Sequence, residues 1–259
     1  MKIKGRTVEE VVADLRPIDD TFFNKLIEQR EFCQELLQVI LRKNDLKVAK
    51  VTPQKNLRNI RAKSVVLDVL CTDTKNKYYN VEVQRADNDN HQKRVRYNGS
   101  NIDTYITEKG IDYKDLPDVC VIYISEFDVF KKGKTIYRVR RIIEETGDVV
   151  DNGFYEVYVN AKVDDKSDIA ELMKILKSSE IPNNKKFPNI CRAIKNFKEE
   201  KRRDIMCKLV DDYAKEYAKE YAENLITVIL ELRKGITEEE LISRGYEKST
   251  IDNAKIALG

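Results

Sequence analysis

The chain has 259 residues, enough for one large α/β domain and a smaller appendage. Its 48 lysines and arginines nearly balance its 45 aspartates and glutamates, so the net charge of +3 argues against a histone-like chain or an acidic tail and leaves room for a local basic patch. The single histidine excludes two-histidine metal motifs and Cys/His zinc fingers. Carboxylates are therefore the remaining candidates for metal-dependent catalysis.

The sequence pattern predicts neither a signal peptide for export nor a membrane-spanning helix. Met1–Arg6 contains basic residues but no apolar run follows them, unlike a signal peptide. No stretch approaches the roughly 18 apolar residues of a membrane helix. The cysteines are odd in number, scattered and without a CxxC pair, which indicates reduced, mostly buried thiols. These features predict a cytoplasmic protein.

The first part of the chain alternates between helical and strand patterns. The spacing first predicts a long amphipathic helix over residues 20–43, capped by Asp19 or Asp20. Three strands follow, over Lys47–Thr52, Ser64–Cys71 and Lys77–Gln84. After them come a helix from Asp89 to about Ile106, a buried strand over Asp118–Ile124, and an outer hairpin of Thr135–Ile143 and Phe154–Val159. This order (helix, three-stranded meander, helix, strand) predicts an α/β core over residues 1–164.

The pattern beyond residue 165 is wholly helical, which predicts an all-helical C-terminal region over residues 165–259. Tyr213, Tyr217 and Tyr221 recur every four residues and form a stripe on one helix face. This stripe is interpreted as a packing face of a solvated helix or as a dimerisation face, and we expect a homodimer through these helices. Two short helices follow, the first capped by Thr237 and the second by Ser249. They resemble a helix-turn-helix in outline, although packing or oligomerisation is favoured over DNA reading.

Two carboxylates stand out in the predicted meander. Asp68 is the one ionised residue in an apolar strand, and Glu82 shares a strand face with Gln84 because side chains alternate. If the turn centres near residue 75, Asp68 lies opposite Glu82 with Cβ atoms roughly 5 Å apart. Such like charges are destabilising unless a divalent cation takes oxygen ligands from both. The alternative, a solvent-facing strand, explains Glu82 better than Asp68.

Four segments occur in an order that resembles a known family: Asp20-Thr-Phe-Phe-Asn-Lys-Leu, Val66-Leu-Asp68-Val, Tyr79-Asn-Val-Glu82-Val-Gln84, and His91-Gln-Lys-Arg94-Val-Arg-Tyr97. Together, over roughly residues 18–125, they resemble the PD-(D/E)XK nuclease superfamily, and most closely its transposase-like branch, the Rpn family of recombination-promoting nucleases. The resemblance implies a restriction-endonuclease-like core and a DNA endonuclease linked to mobile elements or recombination. The proline that names the motif is absent before Asp68.

The resemblance also implies roles for individual residues. Asp68 and Glu82 are expected to bind Mg²⁺, with Mn²⁺ as a substitute, and Gln84 to replace the catalytic lysine of the motif. Glutamine can orient water by hydrogen bonding but cannot deprotonate it, so a lysine at position 84 is expected to retain or raise activity. Glu35 is expected as an additional acidic metal ligand, with Asp20 as the alternative.

The predicted helix after Gln84 carries a set of candidate DNA contacts: Lys93, Arg94, Arg96 and Tyr97. The competing interpretation is a solvated basic stripe. His91 is interpreted as a surface residue, with a phosphate contact as the alternative. Two other functions remain open: a catalytically weak or inactive DNA-binding or interaction module on a nuclease fold, and an assembly protein that acts through its helical tail.

Overall fold

The computed structural model describes residues 8–57, 64–87, 90–199, 215, 218 and 221–258. Its helices are α1 (Val8–Asp14), α2 (Asp20–Ile27), α3 (Arg30–Leu41), α4 (His91–Ile106), α5 (Asp168–Lys177), α6 (Pro188–Glu199), α7 (residues 221–233), α8 (Glu238–Ser243) and α9 (Lys248–Leu258). Its strands are β1 (Val48–Leu57), β2 (Val65–Asp73), β3 (Tyr78–Gln84), β4 (Val119–Ser125), β5 (Ile136–Val139), β6 (Arg141–Ile142), β7 (Val149–Val150) and β8 (Phe154–Asn160).

A six-stranded mixed sheet with the order β1-β2-β3-β4-β8-β5 forms the centre of this α/β fold. The strands β1, β2 and β3 form an antiparallel meander, as predicted, and β4 then runs parallel to β3. The predicted outer hairpin is partly wrong, because β8 lies inside the sheet between β4 and the edge strand β5. Val157, Tyr158 and Val159 are all buried, so β8 is covered on both faces despite its alternating sequence.

The predicted register of the β2–β3 hairpin is confirmed. Val69 lies opposite Val81, and the residue numbers of all four observed pairs sum to 150. The hairpin turns at Asn76, which adopts a positive φ of 59° that asparagine tolerates. The backbone pairing ends at Val69 and Val81, so Asp68 and Glu82 come one step beyond the last paired residues.

The predicted helix over residues 20–43 is two helices, α2 and α3, separated at Glu28 and Gln29. Gln29 is extended, with φ −79° and ψ 114°. In one continuous helix, Ile27 and Phe32 would point roughly 140° apart at about 100° per residue. Both residues are fully buried, and the break lets each helix turn its own apolar face to the core.

Helices cover both faces of the sheet. The strand pairing shows which residues point to each face. On one face, Val95 and Ile102 of α4 pack with Val121 and Tyr123 of β4. On the other face, Cys33 of α3 lies against β2, with its Sγ 3.7 Å from that of Cys71. Asn80 pairs with Val121 and Glu82 with Tyr123, so the even-numbered residues of β3 face α4. This places Glu82 and Gln84 beneath the first turns of α4.

Two compact units divide the chain, one of residues Ala13–Glu200 and one of Met1–Val12 with Lys201–Gly259. The boundary expected at residue 164 falls inside the first unit, because α5 and α6 pack against α3. The Ile18 amide also donates to the Leu176 carbonyl at 2.9 Å, which ties α5 to the segment before α2. The apolar faces of α5 and α6 therefore complete the core of the sheet unit.

The second unit contains α7, α8 and α9 around a small core of Val228, Leu241, Ile251 and Ala254. The predicted cap is confirmed: the Thr237 hydroxyl accepts the Glu240 amide at 3.3 Å. The last helix begins at Lys248 and so includes Ser249 rather than following it. The tyrosine stripe at Tyr213 and Tyr217 lies outside the described residues. Within the described part of the chain, no helix has the length and apolar character to cross a membrane.

Candidate active site

Asp68 and Glu82 meet where β2 and β3 separate. The Asp68 amide donates to Oε1 of Glu82 at 3.3 Å, and the Val83 amide donates to Oδ2 of Asp68 at 3.0 Å. Each carboxylate thus accepts a backbone amide of the opposite strand, at the point where backbone pairing has stopped. The structure brings these two residues together, as the strand register predicts.

Glu82 is a buried carboxylate with one oxygen left unsatisfied. Its side chain is 1% exposed, and its Oε1 accepts a hydrogen bond from Nδ2 of the Asn80 side chain at 2.8 Å. Burial raises the pKa of Glu82, against the lowering effects of Asn80, Arg94 and the Asp68 amide. Its Oε2 has no hydrogen-bond partner, and an Arg94 nitrogen lies 3.8 Å away. A buried carboxylate oxygen without a hydrogen bond lowers the stability of the fold unless another group or ion binds it.

Gln84 lies beside the carboxylates and contacts Arg94. Its Oε1 accepts from Nη1 of Arg94 at 3.0 Å, and its Nε2 donates to the Ala86 carbonyl at 3.2 Å. Both ends of the amide are therefore engaged, and the side chain is fixed between β3 and α4. Gln84 is close to Glu82 as predicted, since the two residues share a strand face.

Glu35 has a different set of partners. Its Oε2 accepts the Ile190 amide at 2.8 Å and its Oε1 accepts the Asn189 side chain at 3.1 Å, both in the first turn of α6. Among the described residues, no group of three or more Asp, Glu, His or Cys residues forms a potential metal cluster, so neither Glu35 nor Asp20 completes a three-ligand site with Asp68 and Glu82. Asp20, the alternative, raises the pKa of Glu82 through its negative charge.

The carboxylate pair fits a hard divalent cation. Mg²⁺ prefers oxygen ligands, keeps several waters and is commonly held by one or two carboxylates. Asp68 and Glu82 supply two carboxylates from adjacent strands, and Oε2 of Glu82 is an oxygen without a hydrogen bond. The donor set therefore suits Mg²⁺ or Mn²⁺ better than a soft metal, which would need thiolate or imidazole ligands.

All four candidate DNA-contacting residues line one cleft of about 610 Å³ between β2 and α4. The full lining is Ser64, Val65, Val66, Asn90, Lys93, Arg94, Arg96, Tyr97 and Asn98. Lys93 and Arg96 are exposed, and Arg94 reaches from the cleft to Glu82. The arrangement places positive charge along an open surface next to the carboxylates, as a phosphate backbone requires.

His91 is buried, so its interpretation as a surface residue is wrong. It is 6% exposed, and its ring nitrogens lie 2.7 Å from the Tyr123 hydroxyl and 2.9 Å from Oδ1 of Asp87. The sequence feature that could have predicted this contact is Tyr123, because a tyrosine hydroxyl inside an apolar strand needs a hydrogen-bond partner. The contact anchors the start of α4 to β4, next to the strand that carries Glu82.

A four-residue ion network at the end of β3 was also missed. Arg16 lies 2.8 Å from both Asp19 and Glu126, and Nε of Arg85 lies 3.5 Å from each of these carboxylates. Asp19 stands at the cap position of α2, but its side chain makes no capping hydrogen bond and binds Arg16 instead. The network joins the residue after Gln84 to the start of the helix that carries Asp20.

Comparison with models of protein families identifies a family for this chain. A model described as a PD-(D/E)XK nuclease family transposase matches residues 20–209, which is well over half of the sequence and includes the carboxylate pair, Gln84 and the candidate DNA contacts of α4. Comparisons with curated proteins and with solved structures give no match.

Proposed function

Because the chain belongs to the PD-(D/E)XK nuclease family transposases, we propose that it hydrolyses DNA phosphodiester bonds as a Mg²⁺-dependent endonuclease. The observation that carries this proposal is the pairing of Asp68 and Glu82 across two separating strands, with one buried oxygen of Glu82 left without a hydrogen bond. The two backbone amides that these carboxylates accept also serve the scaffold, but the buried oxygen without a hydrogen bond costs stability unless a bound cation takes it as a ligand.

The residues divide into metal-holding and substrate-holding groups. Asp68 and Glu82 would hold Mg²⁺, or Mn²⁺ in its place. We propose Asp20 rather than Glu35 as the acidic residue that acts on this pair, because its charge raises the pKa of Glu82, although it does not complete a three-ligand cluster among the described residues. The bound cation would supply Lewis acidity to the phosphate and to a water molecule. Glu35 instead serves the first turn of α6.

The cleft beside α4 would hold the DNA strand. Lys93 and Arg96 are exposed cations suited to flanking phosphates, which they attract without reading sequence. Tyr97 is half-buried and lines the same cleft. Arg94 lies between the cleft and Glu82, where the scissile phosphate would approach the carboxylates.

The test is cleavage of supercoiled plasmid by the purified protein with Mg²⁺ and with EDTA. Wild type is expected to nick or linearise the plasmid only with Mg²⁺. Asp68→Asn and Glu82→Gln keep the side-chain shape and should abolish cleavage, while Glu31→Gln, at an exposed carboxylate of α3, should have no effect. Equal cleavage by the Asp68 and Glu82 variants would remove the proposal.

A second candidate is a DNA-binding module that has lost catalysis. It is favoured by Gln84, whose amide is engaged by Arg94 and Ala86 rather than facing an open site. Wild type that binds DNA but leaves it intact with both Mg²⁺ and Mn²⁺ would support this alternative. A role in mobile-element or recombination biology is a proposal that rests on the family alone. A cytoplasmic location is a proposal that rests on the scattered cysteines and the other sequence features given above.

The partner proposed for the C-terminal helices is a second copy of the chain. Ile226 and Leu230 lie one helical turn apart on α7 and are 57% and 50% exposed, while Val228 of the same helix is buried. An apolar pair on the face away from the small core is what an isologous helix contact would use.

A further inference from the structure

Arg94 and Gln84 form a side-chain pair beside the carboxylates. Nη1 of Arg94 donates to Oε1 of Gln84 at 3.0 Å, and Nη2 lies 3.8 Å from Oε2 of Glu82. The Gln84 amide cannot rotate freely, because its Nε2 donates to the Ala86 carbonyl. The guanidinium is therefore held at a fixed place, next to the one oxygen of Glu82 that has no hydrogen bond.

The anchored first turn of α4 also limits the position of Arg94. His91, one turn earlier, is held by the hydroxyl of Tyr123, and Tyr123 pairs directly with Glu82 across the sheet. Asn90 caps the helix by accepting the Lys93 amide at 3.1 Å. The start of α4 is thus anchored to the strand next to Glu82, and Arg94 projects from that anchored turn toward β3.

In the PD-(D/E)XK motif, the lysine stands two positions after the acidic residue that corresponds to Glu82, on the same strand. In this chain that position is Gln84, which has no charge, and the cation comes from α4 instead. A guanidinium has five N–H donors, so the contacts to Gln84 and Glu82 leave donors for a phosphate. The side chain of Arg94 is 37% exposed and lines the cleft, so a substrate in the cleft can contact it.

We infer that Arg94 supplies the positive charge that the motif's lysine supplies elsewhere, and that Gln84 is a positioning residue that holds it. This inference rests on the proposed nuclease function. It reverses the expectation for Gln84→Lys: lysine has no acceptor for Arg94 and would place a second cation against the guanidinium. The combination of Gln84 and Arg94 works as a unit, so changing one without the other removes the function of both.

The test is the single-turnover rate of DNA cleavage at saturating protein and Mg²⁺, which separates the reaction from DNA binding. Gln84→Lys and Arg94→Gln should each lower the rate by about 10²-fold, the range for one transition-state donor. The double variant Gln84→Lys with Arg94→Gln returns one cation to the strand without repulsion, and should cleave faster than either single variant. DNA affinity in EDTA, measured by fluorescence anisotropy, should change far less than the rate for Gln84→Lys.

Matched controls place the same changes on exposed residues away from the site. Gln29→Lys adds the same charge between α2 and α3, and Arg192→Gln removes the same charge from α6. Both should cleave at the wild-type rate. Thermal unfolding of every variant shows whether the fold survives, and Gln84→Met provides a neutral variant that also lacks the acceptor and should be slow.

Three results would overturn the inference. Gln84→Lys that cleaves as fast as wild type would show that Arg94 does not depend on Gln84. Gln84→Met that cleaves at the wild-type rate would show the same thing without adding charge. A double variant no faster than the faster of the two single variants would show that the two positions do not share one function. An inert wild type would instead overturn the proposed nuclease function, which separates the two failures.

Discussion

Replacing Glu35 with alanine should destabilise the protein and leave its metal dependence intact. Glu35 is 8% exposed and accepts two hydrogen bonds in the first turn of α6, from the Ile190 amide and the Asn189 side chain. The Ile190 amide is one of the helix donors that has no partner within α6. Alanine would leave it buried and unsatisfied.

The cost follows from these contacts. Hydrogen bonds to a charged acceptor contribute about 1.5–3 kcal/mol, and a negative charge at a helix N-terminus adds about 0.3–1 kcal/mol. Together they predict a loss of about 2–4 kcal/mol for Glu35→Ala, and less for Glu35→Gln, which keeps one acceptor. For a unit of this size, that corresponds to a fall of roughly 4–15 °C in the unfolding midpoint.

The assay is thermal unfolding followed by circular dichroism, with Mg²⁺-dependent cleavage measured well below the midpoint. Glu31→Ala is the control, because Glu31 lies on the same helix but is 61% exposed. The structure predicts a lower midpoint and normal cleavage for Glu35→Ala. An unchanged midpoint with lost cleavage, or with a higher Mg²⁺ requirement, would show that Glu35 is a metal ligand and that its role in capping α6 has been misread.

Three further changes test other parts of the structure. His91→Phe removes the contacts of the ring nitrogens with the Tyr123 hydroxyl and with Asp87 and should cost about 1–3 kcal/mol in urea unfolding, so an unchanged midpoint would contradict these contacts. Gly99→Ala places a Cβ 2.4 Å from the Phe154 ring and should destabilise α4, and Phe154→Leu should reduce that loss in the double variant; additive effects would argue against the clash. Ile226→Glu should reduce a dimeric solution mass to that of a monomer, and a wild type that is already monomeric at micromolar concentration would remove the dimer proposal.

The strand register and the carboxylate pair were predictable because both depend on local rules. Side chains alternate along a strand, and a turn rich in polar residues near Lys75 fixes which positions face each other. Those two rules were enough to place Asp68 opposite Glu82. The candidate cleft residues followed in the same way, since they occupy two turns of one predicted helix.

The remaining features depend on contacts that the sequence does not display. Glu35 and Ile190 are 155 positions apart, and no local pattern connects a carboxylate in α3 with the first turn of α6. The contact between Gln84 and Arg94 spans only ten positions, but it requires the angle between β3 and α4, which tertiary packing determines. The break between α2 and α3 was hidden because Leu26 and Cys33 keep a helical spacing across it.

The most direct test of the central claim is Mn²⁺ binding, measured by electron paramagnetic resonance of the protein with and without DNA. Asp68 and Glu82 are proposed to hold the cation that cleavage requires, so wild type should bind Mn²⁺ and cut DNA in the same samples. Asp68→Asn and Glu82→Gln should lose both, while Glu31→Gln keeps both. Variants that bind Mn²⁺ as tightly as wild type, or a wild type that binds none even with DNA, would contradict the account.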